Sequence, residues 1–220
     1  MRITKLMTFV LMFVMALSAS TVCVAAMQGD VDQAVAILQR FQEIPEKSIP
    51  PAVLKGAKGL AIMTVTKAGF IVSARGGTGV VVARLAKGWS GPSAIGTGGA
   101  GFGFQIGAEV TEFIMILNTP DAVKAFSRGG NVSLGADVSV AAGPVGRNVS
   151  AEVLPTAAVY TYSRSQGLFA GVSLEGTVVA TRDDANAEYY GRKVTPTQIL
   201  SGQVKVPKGA QALIRALSKY

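Results

Sequence analysis

The chain has 220 residues, of which 49% are hydrophobic and 15% charged, so we expect one compact domain and not a disordered chain. It has no histidine and a single cysteine, which excludes histidine-dependent triads and dyads, histidine-ligated zinc and any disulfide framework. The formal net charge of +8 favours anionic partners, either membrane surfaces or polyanions, although dispersed cations are also typical of a solvated surface.

Residues 1–26 have the pattern of a signal peptide. Two basic residues precede an apolar stretch at 6–19, and small residues at 24–26 predict cleavage after the last of them. We therefore expect export to the periplasm or the medium and peripheral membrane association. An uncleaved anchor helix is the alternative, because residues 6–26 are long enough to span a bilayer. A lipoprotein signal at Cys23 is disfavoured by the bulky residue before it.

Two helices are predicted before the first strand. Residues 27–47 form an amphipathic helical lead-in, in which 30–43 repeat apolar side chains at helical spacing. Asp30 is the predicted N-cap, and Gln33 has the spacing of a capping box. Residues 51–57 predict a short second helix, because proline suits the first helical position.

The rest of the chain alternates strand-like runs with short helical segments. β-branched and aromatic residues predict strands at 60–66, 70–75, 80–85, 102–117, 132–141, 157–164 and 168–181. Helices are predicted at 119–126, 184–190, 196–200 and 207–217. The 26 glycines lie mainly within and between the strands, where they permit bulges and sharp bends. We therefore predict an α+β fold with a strongly curved, barrel-like antiparallel sheet and short flanking helices.

Three motifs resemble chemical sites, and each has a structural explanation. Residues 96–101 match the glycine pattern of dinucleotide-binding loops, but the strand-like run that follows them excludes the strand–loop–helix context that such loops need. Glu109 and Glu112 would lie on opposite faces of a strand, so the two carboxylates could not act together as a general acid and a general base. Asp183 and Asp184 are typical of a helix start. The sequence therefore predicts no catalytic residue, no metal site and no cofactor.

The lysine pair of the second helix is more distinctive. Lys55 and Lys58 are three residues apart, so a helix places both ammonium groups on one face, beside the apolar Val53 and Leu54. Apolar surface flanked by lysines suits a segment that binds at a membrane interface. Ordinary packing of a short helix on a sheet, with its lysines in water, explains the same pattern.

Long stretches of the chain resemble the SYLF domain, a family of lipid-binding modules that also bind actin in some fungal members. Residues 48–217 carry the resemblance, and we predict a SYLF domain over 48–220. The matching stretches are IPPAVLKGAKGLAI (49–62), KAGF (67–70), SARGGTGVVVARL (73–85), WSGPSAIGTGGAGFGFQIGAEVTEFIMILN (89–118), AVKAFSRGGNVSLGADVSVAAGPVGRN (122–148), YSRSQGLFAGVSLEG (162–176) and YYG (189–191).

The resemblance implies a non-enzymatic module that binds acidic, phosphoinositide-like headgroups at a membrane surface. We expect an exported bacterial member whose partner is an anionic phospholipid membrane. The candidate headgroup-binding residues are Lys55, Lys58, Lys67 and Arg75, and the candidate apolar contacts are Val53 and Leu54.

Two other classes of function stay open. One is a structural or partner-binding protein related to the actin-binding members. The other is an enzyme that uses lysine, tyrosine or carboxylate side chains, for instance Tyr160, Tyr162, Tyr189 or Tyr190. Nucleic-acid recognition is the weakest option, because aromatic residues are only 7% of the chain and no basic stripe interleaves with them.

Overall fold

The computed structural model of the chain describes residues 27–43, 48–144, 157–167 and 177–220. The predicted signal peptide therefore lies outside the described residues. The helices are α1 (27–40), α2 (Pro51–Gly56), α3 (Pro120–Ser127), α4 (Asp183–Tyr189), α5 (Pro196–Leu200) and α6 (Gln211–Leu217), with a 3₁₀ turn at Lys208–Ala210. The strands are β1 (Gly59–Ala83), β2 (Ser93–Leu117), β3 (Asn131–Ser133), β4 (Val140–Ala142), β5 (Val159–Gly167) and β6 (Val178–Thr181). This arrangement confirms the predicted α+β class.

One sheet contains all of these strands. Its order is β3-β6-β2-β5-β4, and β1 pairs with β2. The β1–β2 pair is antiparallel and runs from Gly59 opposite Leu117 to Val81 opposite Ser93, with a bulge between Gly69 and Ile71. The β4–β5 pair is parallel, whereas the other strand pairs among the described residues are antiparallel.

Strand β1 folds back on itself. The Arg84 N–H donates to the Lys58 carbonyl at 2.8 Å, so the two ends of the strand meet. Nearer its middle, a Cβ added at Gly79 would overlap the Ile62 carbonyl oxygen. Because β1 and β2 each contribute two segments, the sheet has eight strand segments and curls into a half-barrel. The predicted strong curvature is therefore confirmed, and glycine permits the close approach that it requires.

We expect Gly79→Ala to lower the free energy of unfolding by about 1–3 kcal/mol, because overpacking forces backbone to move. Gly76→Ala is the matched control on the same strand, since a Cβ there meets no atom within 4 Å. The control should change the free energy of unfolding by no more than about 0.5 kcal/mol. Urea denaturation measures both variants, and equal stabilities would contradict the fold-back of β1.

The sheet is buried on both faces near the ends of β1 and β2. Helices α1, α2 and α6 cover one face, where Leu60 and Ile114 lie in the core. Helices α3 and α5 cover the other, where Phe113 lies in the core. Side chains alternate between the two faces, as a strand requires.

Helix α1 differs from its prediction at its first turns. Asp30 lies inside the helix, so the prediction that it caps the N-terminus is wrong. Its carboxylate accepts hydrogen bonds from Arg182 and from Thr78, each at 2.6 Å. Asp30 therefore takes part in a tertiary ion pair with Arg182, whereas the local sequence pattern assigns it to a helix cap.

Candidate anion-binding face

The C-terminal end of α2 is held by one arginine. Arg84 donates to the carbonyls of Ala57 at 2.8 Å and Leu54 at 2.9 Å, which satisfies backbone acceptors that a helix end leaves unpaired. The guanidinium carbon lies 4.3 Å from the centre of the Trp89 ring, in cation–π geometry. Partial burial lowers the pKa of Arg84, which nevertheless stays charged at neutral pH. Arg84 is therefore a positioning residue for the end of α2.

The two predicted lysines of this region point to solvent. Lys55 lies in the last turn of α2, and Lys58 follows it; both are exposed. The Lys58 N–H donates to the Leu117 carbonyl at 2.8 Å, so the end of β2 fixes its backbone. Of the predicted apolar contacts, Val53 is half-buried, whereas Leu54 is 1% exposed and belongs to the core. Leu54 would have to leave the core to touch a membrane.

The other two predicted cations lie elsewhere. Lys67 is nine residues beyond Lys58 on β1, which is about 30 Å along an extended strand. It stands directly opposite Glu109, which is 3% exposed, so this cation faces a buried carboxylate across the strand pair. Arg75 stands opposite Gly99 and lies against it. The structure therefore separates Lys67 and Arg75 from the lysines at α2.

Further exposed cations lie on the chain segments that meet at Trp89. The Trp89 indole N–H donates to the Leu217 carbonyl at 3.2 Å, which joins α6 to the loop between β1 and β2. We call the exposed cations on the segments that meet here the Trp89 face. Its members are Lys55, Lys58, Lys87, Arg215 and Lys219.

A sequence signal for this face exists. No aspartate or glutamate occurs between Glu46 and Glu109, and none follows Glu188. Each of these acid-free stretches carries several cations, and the hydrogen bond between Trp89 and Leu217 brings the two stretches together. Trp89 and Leu217 are 128 positions apart in the chain. The sequence therefore shows the two acid-free stretches, but it does not show that they lie side by side in the fold.

The two strand carboxylates are apart, as predicted. Glu112 accepts from the Arg40 Nε at 3.0 Å, beneath α1. Glu109 accepts from the Thr111 hydroxyl at 3.1 Å, on the opposite face of β2. Residues 96–101 lie within β2, so the dinucleotide-loop context is absent there, as we expected. Within the described ranges, no group of three or more His, Cys, Asp or Glu side chains could hold a metal ion.

Tyr160 is buried in the core, and the other three candidate tyrosines donate hydrogen bonds. Tyr162 and Tyr190 donate to the carbonyls of Pro144 and Pro92, each at 2.9 Å, and burial raises the pKa of both phenols. Tyr189 donates to the Gln28 side chain at 3.0 Å, and burial raises its pKa to about 12. These groups are protonated at neutral pH and are held by packing.

No helix in the described part of the chain has both the length and the apolar character that crossing a membrane needs.

Comparisons with known proteins match the chain to one family and to several curated relatives. Residues 98–220 match the family Ysc84, described as "Las17-binding protein actin regulator". The chain is 53% identical over 177 residues to Protein YSC84 and 52% identical over 177 residues to LAS seventeen-binding protein 3, both of Saccharomyces cerevisiae. It is 47% identical over 202 residues to SH3 domain-containing YSC84-like protein 1 of Homo sapiens.

The matched region covers most of this chain and a smaller part of each relative. It includes 78%, 78% and 88% of this chain in the three comparisons. It includes 38%, 39% and 59% of the respective relatives, so the chain spans less than two thirds of the length of each.

Proposed function

The chain belongs to the Ysc84/SYLF family, and from this premise we propose that it is a non-enzymatic module that docks on anionic phospholipid membranes through the Trp89 face. The observation that carries the proposal is that two acid-free stretches meet at Trp89 and that the five cations of the Trp89 face are exposed to solvent. Acidic, phosphoinositide-like headgroups are the ligands that such a surface would take.

The number of cations decides whether this attraction matters. Each lysine or arginine near an anionic membrane contributes about 1 kcal/mol, so two contribute little and five contribute strongly. Charges more than about 10 Å apart are largely screened from each other at 0.1 M salt. Lys67 and Arg75 would therefore contribute little to docking through the Trp89 face.

The frame beneath the face supports docking without rearrangement. Arg84 holds the end of α2, and the indole of Trp89 holds α6. Val53 is a half-buried apolar side chain two residues before Lys55 and would meet the edge of the acyl region. Export by the predicted signal peptide is part of this proposal and would place the module at a periplasmic or external membrane surface.

Vesicle sedimentation tests the proposal. We expect the protein to bind phosphatidylcholine vesicles that contain phosphatidylserine or a phosphoinositide, and to bind pure phosphatidylcholine weakly. Raising the salt concentration from 0.1 to 0.5 M should release most of the bound protein, because the attraction is screened. Equal binding to both kinds of vesicle, or binding that salt leaves unchanged, would contradict a charge-driven membrane contact.

The names of the relatives support a second proposal, in which the partner is a protein. Relatives are described as Las17-binding and as actin regulators, and a cationic face also suits an acidic protein surface. Sedimentation with actin filaments in the absence of vesicles distinguishes the two. Binding to filaments but not to anionic vesicles would favour the protein partner.

A further inference from the structure

A cleft of about 440 Å³ opens on the side of the sheet that carries α3 and α5. Its walls are the residues after α3, the first turns of α4 and the loop that precedes α5. This volume lies within the range of small-molecule sites, about 300–1,000 Å³. We call it the α3–α5 cleft.

Charges of both signs line the α3–α5 cleft. Arg128 and Lys193 come from the two loops, and Asp183 and Asp184 come from α4. Among the described residues, the salt bridges are made by other side chains, and none of these four lies within 4.0 Å of an opposite charge. A ligand with a single charge would be attracted by one pair of side chains and repelled by the other. A ligand that carries both charges would satisfy both pairs.

The floor of the cleft is bare backbone. Gly129 and Gly130 both have φ of +77°, which side chains rarely tolerate. One such residue suffices to end α3, so the second is not explained by the helix end. A Cβ at Gly130 would meet no atom within 4 Å, and a larger side chain there would therefore extend into free space.

Hydrogen bonds hold the walls in place. The Thr197 hydroxyl donates to the Ser127 carbonyl at 2.6 Å, which ties α5 to α3. The Thr181 N–H donates to the Gly130 carbonyl at 2.9 Å, which ties the floor to β6. These bonds fix the backbone of α3, α5 and Gly130 around the cleft.

We propose that the α3–α5 cleft binds a small zwitterion of the phosphoethanolamine type. Arg128 and Lys193 would face the phosphate, because a guanidinium fork and an ammonium group match phosphate oxygens. Asp183 and Asp184 would accept hydrogen bonds from the ligand's ammonium group. The same chemistry occurs in a free amino-phosphate and in the headgroup of phosphatidylethanolamine. This site is separate from the Trp89 face and does not depend on it.

Calorimetric titration of the whole protein with phosphoethanolamine tests the site. We expect saturable binding that is at least about tenfold tighter than the binding of inorganic phosphate or of ethylammonium alone. Asp183→Asn with Asp184→Asn should remove this preference over phosphate while the protein stays folded by circular dichroism. Lys124→Gln, an exposed cation of α3 that does not line the cleft, is the control and should leave binding unchanged.

Gly130→Asn provides a second variant, because asparagine tolerates a positive φ and its side chain would occupy the floor. It should weaken phosphoethanolamine binding at least tenfold. Vesicles that contain phosphatidylethanolamine distinguish the two sources of the ligand. If the protein binds these vesicles and free phosphoethanolamine displaces it from them, the site takes the lipid headgroup. If the protein binds free phosphoethanolamine but not the vesicles, the site takes a soluble ligand. No saturable binding, or equal affinity for phosphate and phosphoethanolamine, would overturn the proposal.

Discussion

Replacing Lys55, Lys58 and Lys87 with glutamine should weaken binding to anionic vesicles by about 100-fold. Each cation contributes about 1 kcal/mol near an anionic surface, and 1.4 kcal/mol corresponds to a tenfold change in affinity. Adding Arg215→Gln and Lys219→Gln should weaken binding further, because α6 contributes to the same face. Sedimentation at 0.1 M salt over a series of lipid concentrations measures both steps.

The matched control removes the same charge from other surfaces. Arg75, Arg192 and Lys208 are not part of the Trp89 face, and their replacement with glutamine lowers the net charge by the same three units. We expect this variant to bind within about threefold of the parent protein, since screening leaves only a weak long-range contribution. An equal loss in the two triple variants would show that the whole molecule's charge, and not the face, drives binding.

The second large effect concerns the contact of α1 with the sheet. Glu112 is buried and its carboxylate accepts two hydrogen bonds from the Arg40 guanidinium, at 3.0 and 2.5 Å. Arg40→Met would leave that carboxylate buried without its cation. We expect the free energy of unfolding to fall by about 2–3 kcal/mol, below the usual 3–5 kcal/mol for a broken buried pair because Arg40 is partly exposed.

A double-variant cycle isolates this ion pair. In a protein that already carries Glu112→Gln, Arg40→Met should lower the free energy of unfolding by less than about 1 kcal/mol, because no charge is stranded. Urea denaturation of the parent protein, the two single variants and the double variant gives the coupling free energy between Arg40 and Glu112. Equal losses in the two backgrounds would mean that Arg40 stabilises α1 by packing of its aliphatic part alone.

Local signals predicted the short helices well. Helix α5 begins and ends where the sequence placed it, because Thr195 and Gln198 form a capping box and Pro196 occupies the first position. Gly129 follows the end of α3 with a positive φ, as a helix exit requires. These features depend on neighbouring residues, so a single sequence contains them.

Features that depend on contacts between residues distant in sequence were predicted less well. We predicted separate strands at 60–66, 70–75 and 80–85, whereas β1 is continuous, because its glycines remain in the ladder and let the strand fold back. A strand predicted at 132–141 is broken into β3 and β4, since Gly135 adopts φ of +97°. The contribution of α6 to the Trp89 face was also not predicted, because α6 is far in sequence from the other segments of that face.

The grouping of the candidate headgroup-binding cations also depends on the three-dimensional structure, which the sequence alone does not show. Proximity in sequence grouped Lys67 with Lys58, but an extended strand separates them by about 30 Å. The buried Glu109 opposite Lys67 could not be foreseen without the strand register. Headgroup binding by Lys67 and Arg75 is an untested prediction from the sequence, and the control variant that carries Arg75→Gln tests it for Arg75.

Trp89 allows the most direct measurement, because it is the sole tryptophan of the chain and is buried where the segments that carry the Trp89 face meet. Its fluorescence should be quenched when the protein binds anionic vesicles whose headgroups carry a nitroxide, and should change little when the nitroxide lies at the centre of the bilayer. Binding to the same vesicles without headgroup quenching would mean that another surface of the molecule meets the membrane.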